Sequence, residues 1–298
     1  MRLHNLRFSW WNTALSSAAK KANSNLLSCI EALHHIESLM ETSDCDLVAV
    51  SEVCSGDLEV FNKILPEHYK VLDITNKAGK TRFDCGVIYN ESALSVVEVT
   101  DLDLDDLNNT IKTGQVLKVT DKHSNDEFTL ILCHWSSQIM TSGVCKRANA
   151  ATHLKYFVKN LLDNNEKVIV MGDFNDEPYS YSLTENLYTT RCIDAVRKHP
   201  KQLLYNPFWR HLVSNDFYSF STTDSSYEYG SHNYQSYIKN FWQMYDQIFF
   251  SANFLGGSAW HINEKETKVV KSSSLTSAFL SKSSFIDHYP VICEIQKP

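Results

Sequence analysis

The stretch VIVMGDFNDEPYS, Val168–Ser180, runs four apolar residues into a glycine and then sets Asp173, Asn175, Asp176 and Glu177 almost side by side. A short apolar run bounded by turn residues reads as a buried strand. Carboxylates are costly to desolvate. A buried strand that ends in them is therefore either closing in an acidic turn or holding a site at the tip of a sheet.

Working outward, further apolar runs read as strands: LRFSWW, DLVAVSE, YKVLDI, CGVIYN, ALSVVEV, GQVLKV, FTLILCHW, YDQIFFS and PVICEI. Several carry a polar residue of a chemically useful type at one end: Asn12, Glu52, His134, Asp173, Asp246, and the pair Asp287–His288 just before the last run. Each alone has a plain reading as a strand cap or turn residue. Together they read as a site, because open α/β sheets place their chemistry at strand ends.

The types complement one another. Glu52 and Asp287 are hard oxygen donors of the kind that Mg²⁺ or Mn²⁺ takes beside a substrate phosphate. His288 suits contact with a phosphoryl group, Asp246 can orient its ring, and Asp173 is free to act as the base that activates water. Asp176 and Glu177 read as shapers of the turn before Pro178.

Helical periodicity is clearest over Ser24–Met40, with a stripe of Leu26, Ile30, Leu33, Ile36 and Met40. It recurs over Val144–Leu162, with Ala150, Leu154, Phe157, Val158 and Leu161, and a shorter helix fits Leu58–Ile64. Arg147 falls on the apolar face of the second helix, so it needs an anion, either a structural carboxylate or a substrate phosphate. Strands mixed with few helices predict an α/β fold of packed sheets with helices outside. Residues 100–112, TDLDLDDLNNTIK, read as a solvated acidic loop. Residues 201–245 hold thirteen of the 35 aromatic residues and read as an irregular insert, either a lid or a packed loop that offers a stacking surface. Lys265, Lys268, Lys271 and Lys282 are too dispersed to form a basic patch.

The 298 residues carry a net charge of −7 and 43% hydrophobic residues. That is ample for a sizeable core, argues against sequence-independent grip on duplex DNA, and still permits a local cationic cleft. The eight cysteines form no CxxC pair and sit largely in apolar runs, as buried reduced thiols do. Neither a membrane-spanning run nor a signal-peptide pattern is evident, which predicts a soluble, cytoplasmic protein.

GDFND with DHYPV, in that order, resembles the endonuclease/exonuclease/phosphatase superfamily of metal-dependent phosphoesterases. HWSSQ, then RANAA, then GDFNDEP is similar to a bacterial subgroup with an HWxS…R…GDFNDxP pattern, and the resemblance spans nearly the whole chain. It implies a four-layer α/β sandwich, two packed mixed β-sheets flanked by helices, as a single domain over 1–298. It also implies a divalent metal at Glu52 with Asn12 and Asp287 near it, and Asp173 and Asn175 positioning water and phosphate. His288 would contact the scissile phosphate with Asp246 behind it, and His134 would be a further phosphate contact.

Three positions depart from the family pattern. Ser51 stands where Gln usually precedes the metal-binding Glu, Ala14 where some DNA-repair members have an acid, and Gln138 where the subgroup has Arg. The implied reaction is in-line hydrolysis of a phosphodiester without a covalent intermediate, with nucleic acid as the leading substrate. The alternative is a small or lipid phosphoester such as an inositol phosphate, a sphingolipid head group or a nucleotide. A non-catalytic binding module fits less well, since such modules lose acid, base or metal groups that are all present here.

Overall fold

A computed structural model describes residues 3–17, 24–106, 109–138, 142–214, 220, 228–235, 240–281 and 284–298. Strand β1 (His4–Asn12) leads into helix α1 (Leu26–Glu41), β2 (Leu47–Ser51), α2 (Ser55–Ile64) and β3 (Tyr69–Asp73). A small ribbon of β4 (Asn76–Ala78) and β5 (Thr81–Phe83) precedes β6 (Gly86–Asn90). The long hairpin of β7 (Leu94–Asp106) and β8 (Asn109–Asp121) continues into β9 (Glu127–His134), α3 (Gly143–Asp163) and β10 (Val168–Asp173). Short β11 (Thr189–Thr190), α4 (Ile193–Lys198) and β12 (Leu204–Tyr205) come before a second ribbon, β13 (His232–Gln235) with β14 (Asn240–Gln243). Then follow β15 (Asp246–Phe250), β16 (His261–Val269), α5 (Ser273–Leu280) and β17 (Val291–Lys297).

Two mixed sheets form the body. One has six strands in the order β16-β17-β1-β2-β6-β3, the other seven in the order β11-β12-β15-β10-β9-β8-β7. Side chains alternate across each strand, and the alternation sorts three cores. Leu47 and Ala49 of β2 meet Ile169 and Met171 of β10 in the layer between the sheets. Val48 and Val50 face the other way, against Leu33, Ile36 and Phe279 of α1 and α5. Val168 and Val170 face Ala150, Leu154 and Val158 of α3. The result is the four-layer α/β sandwich, helix–sheet–sheet–helix. Each fully buried Leu, Ile or Phe in these layers contributes roughly 2 kcal/mol of transfer free energy.

The apolar runs quoted above all contain strands, but three readings need correction. Residues 100–112 are not a loop. Their described part extends both arms of the hairpin, with Leu102 paired to Gly114 and Leu104 to Ile111. The acidic side chains hid a period-two pattern that turns Leu102 and Ile111 into the α3 layer. The α1 stripe is rotated. Leu26 and Ile30 are exposed, and Cys29, Ala32 and Leu39 are buried with Leu33, Ile36 and Met40. The cysteines divide, with Cys29, Cys45, Cys85, Cys133 and Cys293 buried, Cys54 half-buried, and Cys145 and Cys192 exposed.

The aromatic segment contributes Tyr205 and Phe208 to the inter-sheet core and Trp242 to the α1 layer. Residues 215–219 of its NDFYSF stretch, and Lys282, lie outside the described residues. Among the described residues no helix is long and apolar enough to cross a membrane.

Candidate active site

The strand ends converge because of register. In the seven-stranded sheet Asp173 ends β10, with His134 of parallel β9 as its partner on one side and Asp246 of antiparallel β15 on the other. In the six-stranded sheet Asn12 ends β1 opposite Ser51 of β2, which puts Glu52 one residue beyond. Gly172 makes the first cluster possible. A Cβ there would lie 2.0 Å from the Cys133 carbonyl oxygen, so only glycine lets β10 approach β9 so closely.

Both oxygens of the buried Asp173 are oriented. Oδ2 accepts from Asn12 Nδ2 at 3.1 Å, bridging the two sheets, and Oδ1 accepts from the Asn175 backbone N–H at 2.8 Å. Asn175 Nδ2 in turn donates to the Trp135 carbonyl at 3.2 Å. The loops carrying this set are bent sharply: Ala14, Glu52 and Asn175 have φ of 53°, 55° and 51°. Non-glycine residues adopt that left-handed region rarely, and such strain concentrates at functional sites.

His288 is held by the buried Asp246. Nδ1 lies 2.7 Å from Asp246 Oδ2, and Nε2 lies 3.9 Å from Asp173 and 4.0 Å from Asp287. Trp10 Nε1 donates to Asp246 Oδ1 at 2.9 Å and Ser231 Oγ to Oδ2 at 2.6 Å, so this carboxylate is fully engaged. Burial alone would push the imidazole down. The charge and hydrogen bond of Asp246, then Asp173 and Asp287, prevail and carry His288 up to about 10. At neutral pH it is an imidazolium. Trp10 packs in the inter-sheet core and also fixes the partner of this histidine.

A second pair was missed from sequence. His134 Nδ1 lies 3.0 Å from Oδ1 of Asp84, which directly precedes Cys85 and β6, and Lys112 Nζ from β8 donates to the same oxygen at 2.9 Å. Burial would raise Asp84, but His134 and Lys112 hold it well below the usual carboxylate range. His134 is raised by the same carboxylate against its own burial. Its Nε2 points to Glu52 Oε1 at 3.8 Å.

Arg147 is placed otherwise than as a phosphate contact. It is buried at 1% exposure, with Nε 2.9 Å from Asp176 Oδ2 and Nη1 donating to the Ser136 carbonyl. Its anion is thus the structural carboxylate, and the charge is spent inside the protein. Asp176 also accepts from Ser182 Oγ at 2.5 Å and Gln138 Nε2 at 3.0 Å, while Glu177 accepts from the Met244 backbone N–H at 3.1 Å. The turn after Asn175 is therefore clamped from several directions.

Glu52 and Asp287 are the residues expected from sequence to hold a cation, and Glu52 falls in neither of the donor groups described below. Among the described residues the Glu52 carboxylate accepts no side-chain hydrogen bond; burial first, then Asp287 and Asp84, raise it. An unspent carboxylate beside like charges, with exposed Asp287 opposite, fits a hard divalent cation. Ser51, at the departure from the family pattern, buries a hydroxyl with no partner among the described residues. Two groups bring donor atoms within 4.8 Å of one another, Asp173–Asp246–His288 and His232–Asp287–His288. In the first, the oxygens of Asp246 already accept from Trp10 and Ser231 and face His288 Nδ1.

The profile described as "Endonuclease/Exonuclease/phosphatase family" matches residues 30–297. A search of curated proteins gives no match. Among solved structures, an endonuclease/exonuclease/phosphatase family protein from Bacteroides thetaiotaomicron is 15% identical, with 100% of both chains covered and a TM-score of 0.60. D. rerio TDP2 complexed with single-strand DNA product is 13% identical, with 98% of each chain covered and a TM-score of 0.59. A mannosyl-6-phosphatase of B. thetaiotaomicron is 16% identical, covering 97% of this chain and 99% of that one, with a TM-score of 0.57.

Proposed function

The chain belongs to the endonuclease/exonuclease/phosphatase family of phosphoesterases, and from that premise we propose that it hydrolyses phosphodiester bonds of nucleic acid by in-line attack of water. The observation that carries this reading is the opposition of a doubly oriented carboxylate, Asp173, to an imidazolium, His288, whose Nε2 is 3.9 Å away. Base and cationic acid held that close suit a phosphoryl group lying between attacking and leaving oxygens.

Asp173 receives the proton of the attacking water as its oxygen bonds to phosphorus and the bond to the leaving oxygen breaks. Asn12 and the Asn175 backbone hold that carboxylate in place. Asn175, a neutral side chain, meets a phosphate oxygen without the repulsion a third carboxylate would add. His288 donates from Nε2 to the phosphoryl group, and His134 supplies a second contact to it. Glu52 and Asp287, with Asn12 beside them, would hold Mg²⁺ or Mn²⁺, which when bound neutralises phosphate charge and stabilises the leaving oxygen. We read residues 1–298 as one domain, with 201–245 as an insert to it.

Nucleic acid is favoured by exposed rings on the turn that follows Asn175. Tyr179 and Tyr181 are exposed, Tyr179 stands edge-on to Trp209, and Arg191 lies 4.9 Å over the Trp209 ring. Exposed rings beside an arginine are what unpaired bases rest on. A small phosphoester is the second reading. It is favoured by the net charge of −7 and by the internal pairing of Arg147, which removes one cation from the phosphate path.

The test is a panel of single-stranded DNA, duplex DNA, RNA and small phosphoesters with Mg²⁺, Mn²⁺ or chelator. Expected is chelator-sensitive cleavage of single strands, lost in Asp173→Ala and His288→Ala. Turnover of small phosphoesters with polynucleotides left intact would select the second reading, and no turnover of any substrate would overturn both.

A further inference from the structure

His232 stands at the start of the β13–β14 ribbon, outside the catalytic set above. Its backbone forms a bridge with His288, and the two rings lie 4.4 Å apart at 44°. Each ring has its Nδ1 committed to an oxygen, His232 to Gln243 Oε1 at 2.8 Å and His288 to Asp246 Oδ2 at 2.7 Å. A ring whose Nδ1 donates outward presents Nε2 as its remaining nitrogen, the arrangement by which proteins orient metal-binding histidines. The donor atoms of His232, Asp287 and His288 fall within 4.8 Å of one another.

We propose that His232, Asp287 and His288 form a zinc-class metal site at the mouth of the active site, sharing Asp287 with the hard-cation donor set that includes Glu52, and that zinc seated there inhibits hydrolysis. Two imidazole nitrogens and one carboxylate leave a fourth position open for water, a donor set that suits zinc rather than magnesium. A tetrahedral ion with bonds near 2.1 Å wants donors roughly 3.4 Å apart. Closing the gap falls to Asp287, whose side chain is 54% exposed and can swing.

His232 enters through Nε2, since its Nδ1 is held by Gln243 Oε1. Zinc displaces the Nε2 proton of His288, and that exchange is helped by the negative charges of Asp173, Asp246 and Asp287 around it. One proton leaves as one N–Zn bond forms. With Nε2 bound to zinc, His288 has no N–H left to offer a phosphate, and Asp287 is drawn away from the hard cation.

The inhibitory half of this proposal rests on the phosphoesterase reading; the binding half does not. Titration calorimetry of Zn²⁺ alone into the full chain carrying Glu52→Gln, which removes the hard-cation donor, isolates the binding half. Expected is one zinc per chain, with affinity reduced tenfold or more by adding either His232→Gln or Asp287→Asn. Asp287 is exposed, so its variant controls for any folding defect of the other. Affinity unchanged within about twofold in both variants overturns the site. In the wild-type background, Zn²⁺ should inhibit Mg²⁺-supported hydrolysis, and His232→Gln should raise the inhibitory concentration tenfold or more; equal inhibition of both overturns the regulatory role. If the wild type hydrolyses no phosphoester, the functional reading falls while calorimetry still decides the site.

Discussion

Two histidine–carboxylate pairs flank Asp173, and they are built differently. Asp246 holds His288 with the help of neutral donors only, Trp10 and Ser231, so the whole negative charge is turned on one imidazole. Asp84 divides its charge between His134 and Lys112. The first pair therefore carries its histidine up to about 10, while the second raises His134 with the Lys112 charge acting against it. Under the proposed function the difference separates roles: the undivided pair commits His288 to the scissile phosphate, and the shared pair sets His134 between Asp84 and Glu52.

The severest way to break the comparison is to remove the group between the pairs. Asp173→Asn should lower kcat by about 10³–10⁴-fold while leaving both histidine–carboxylate pairs in place, because neither hydrogen bond is made to Asp173. A fall of less than tenfold in steady-state assays would place the base elsewhere. Gly172→Ala attacks the same residue through the backbone. With the new Cβ 2.0 Å from a carbonyl oxygen, β10 must shift, at about 3 kcal/mol of stability, and Asp173 moves with it. Denaturant unfolding and kcat should therefore fall together, and a stable variant that has lost only activity would contradict the packing account.

Truncating each carboxylate partner sharpens the contrast. Asp246→Asn should cost about 10²-fold in kcat and bring the alkaline limb of the pH–rate profile down from near 10, since the negative charge that does most to raise His288 is gone. Asp84→Asn should cost about tenfold, since His134 keeps its place beside the phosphate but loses the carboxylate that orients its ring. Stability carries the same signature. A histidine raised in the folded state contributes in full below its unfolded pKa of about 6.5 and loses that contribution as pH climbs toward 10. The stability gap between wild type and His288→Gln should shrink across that interval, and a gap that grows with pH would reverse the assignment.

The two pairs also differ in how far the sequence revealed them. Asp246 was legible because an aspartate at the front of an apolar run has no other comfortable explanation, and DHYPV marked its histidine. Asp84 was not, because it sits between Phe83 and Cys85 in a short run where an aspartate reads as a turn before a strand. Nothing local says that β9 will bring His134 against it, fifty positions along the chain. Ten strands were legible from apolar runs and three helices from their period, whereas β16, the short ribbons, α4 and α5 were not read, and the acidic hairpin arms were misread because charge outweighed alternation. Arg147 shows the limit from the other side. Its burial followed from spacing alone, but the choice of Asp176 over a phosphate is a matter of tertiary distance. His232 gave no signal at all, since its partner Gln243 and its neighbour His288 come together only when the ribbon closes.

The gentlest test acts on Lys112, the cation that makes the second pair shared. Lys112→Met leaves Asp84 with His134 as its remaining cationic partner, and Asp84 is the charge that raises this histidine. Since Lys112 lowers His134 by its positive charge, the variant should shift the His134 titration upward while kcat stays within about threefold of wild type, the size expected of a group two contacts from the chemistry. Nitrogen-edited NMR of the imidazoles reads the shift directly, with His288 as the internal control that does not move. A downward shift of His134 would mean that Lys112 serves chiefly to keep Asp84 ionised, and the two pairs would then differ in degree rather than in kind.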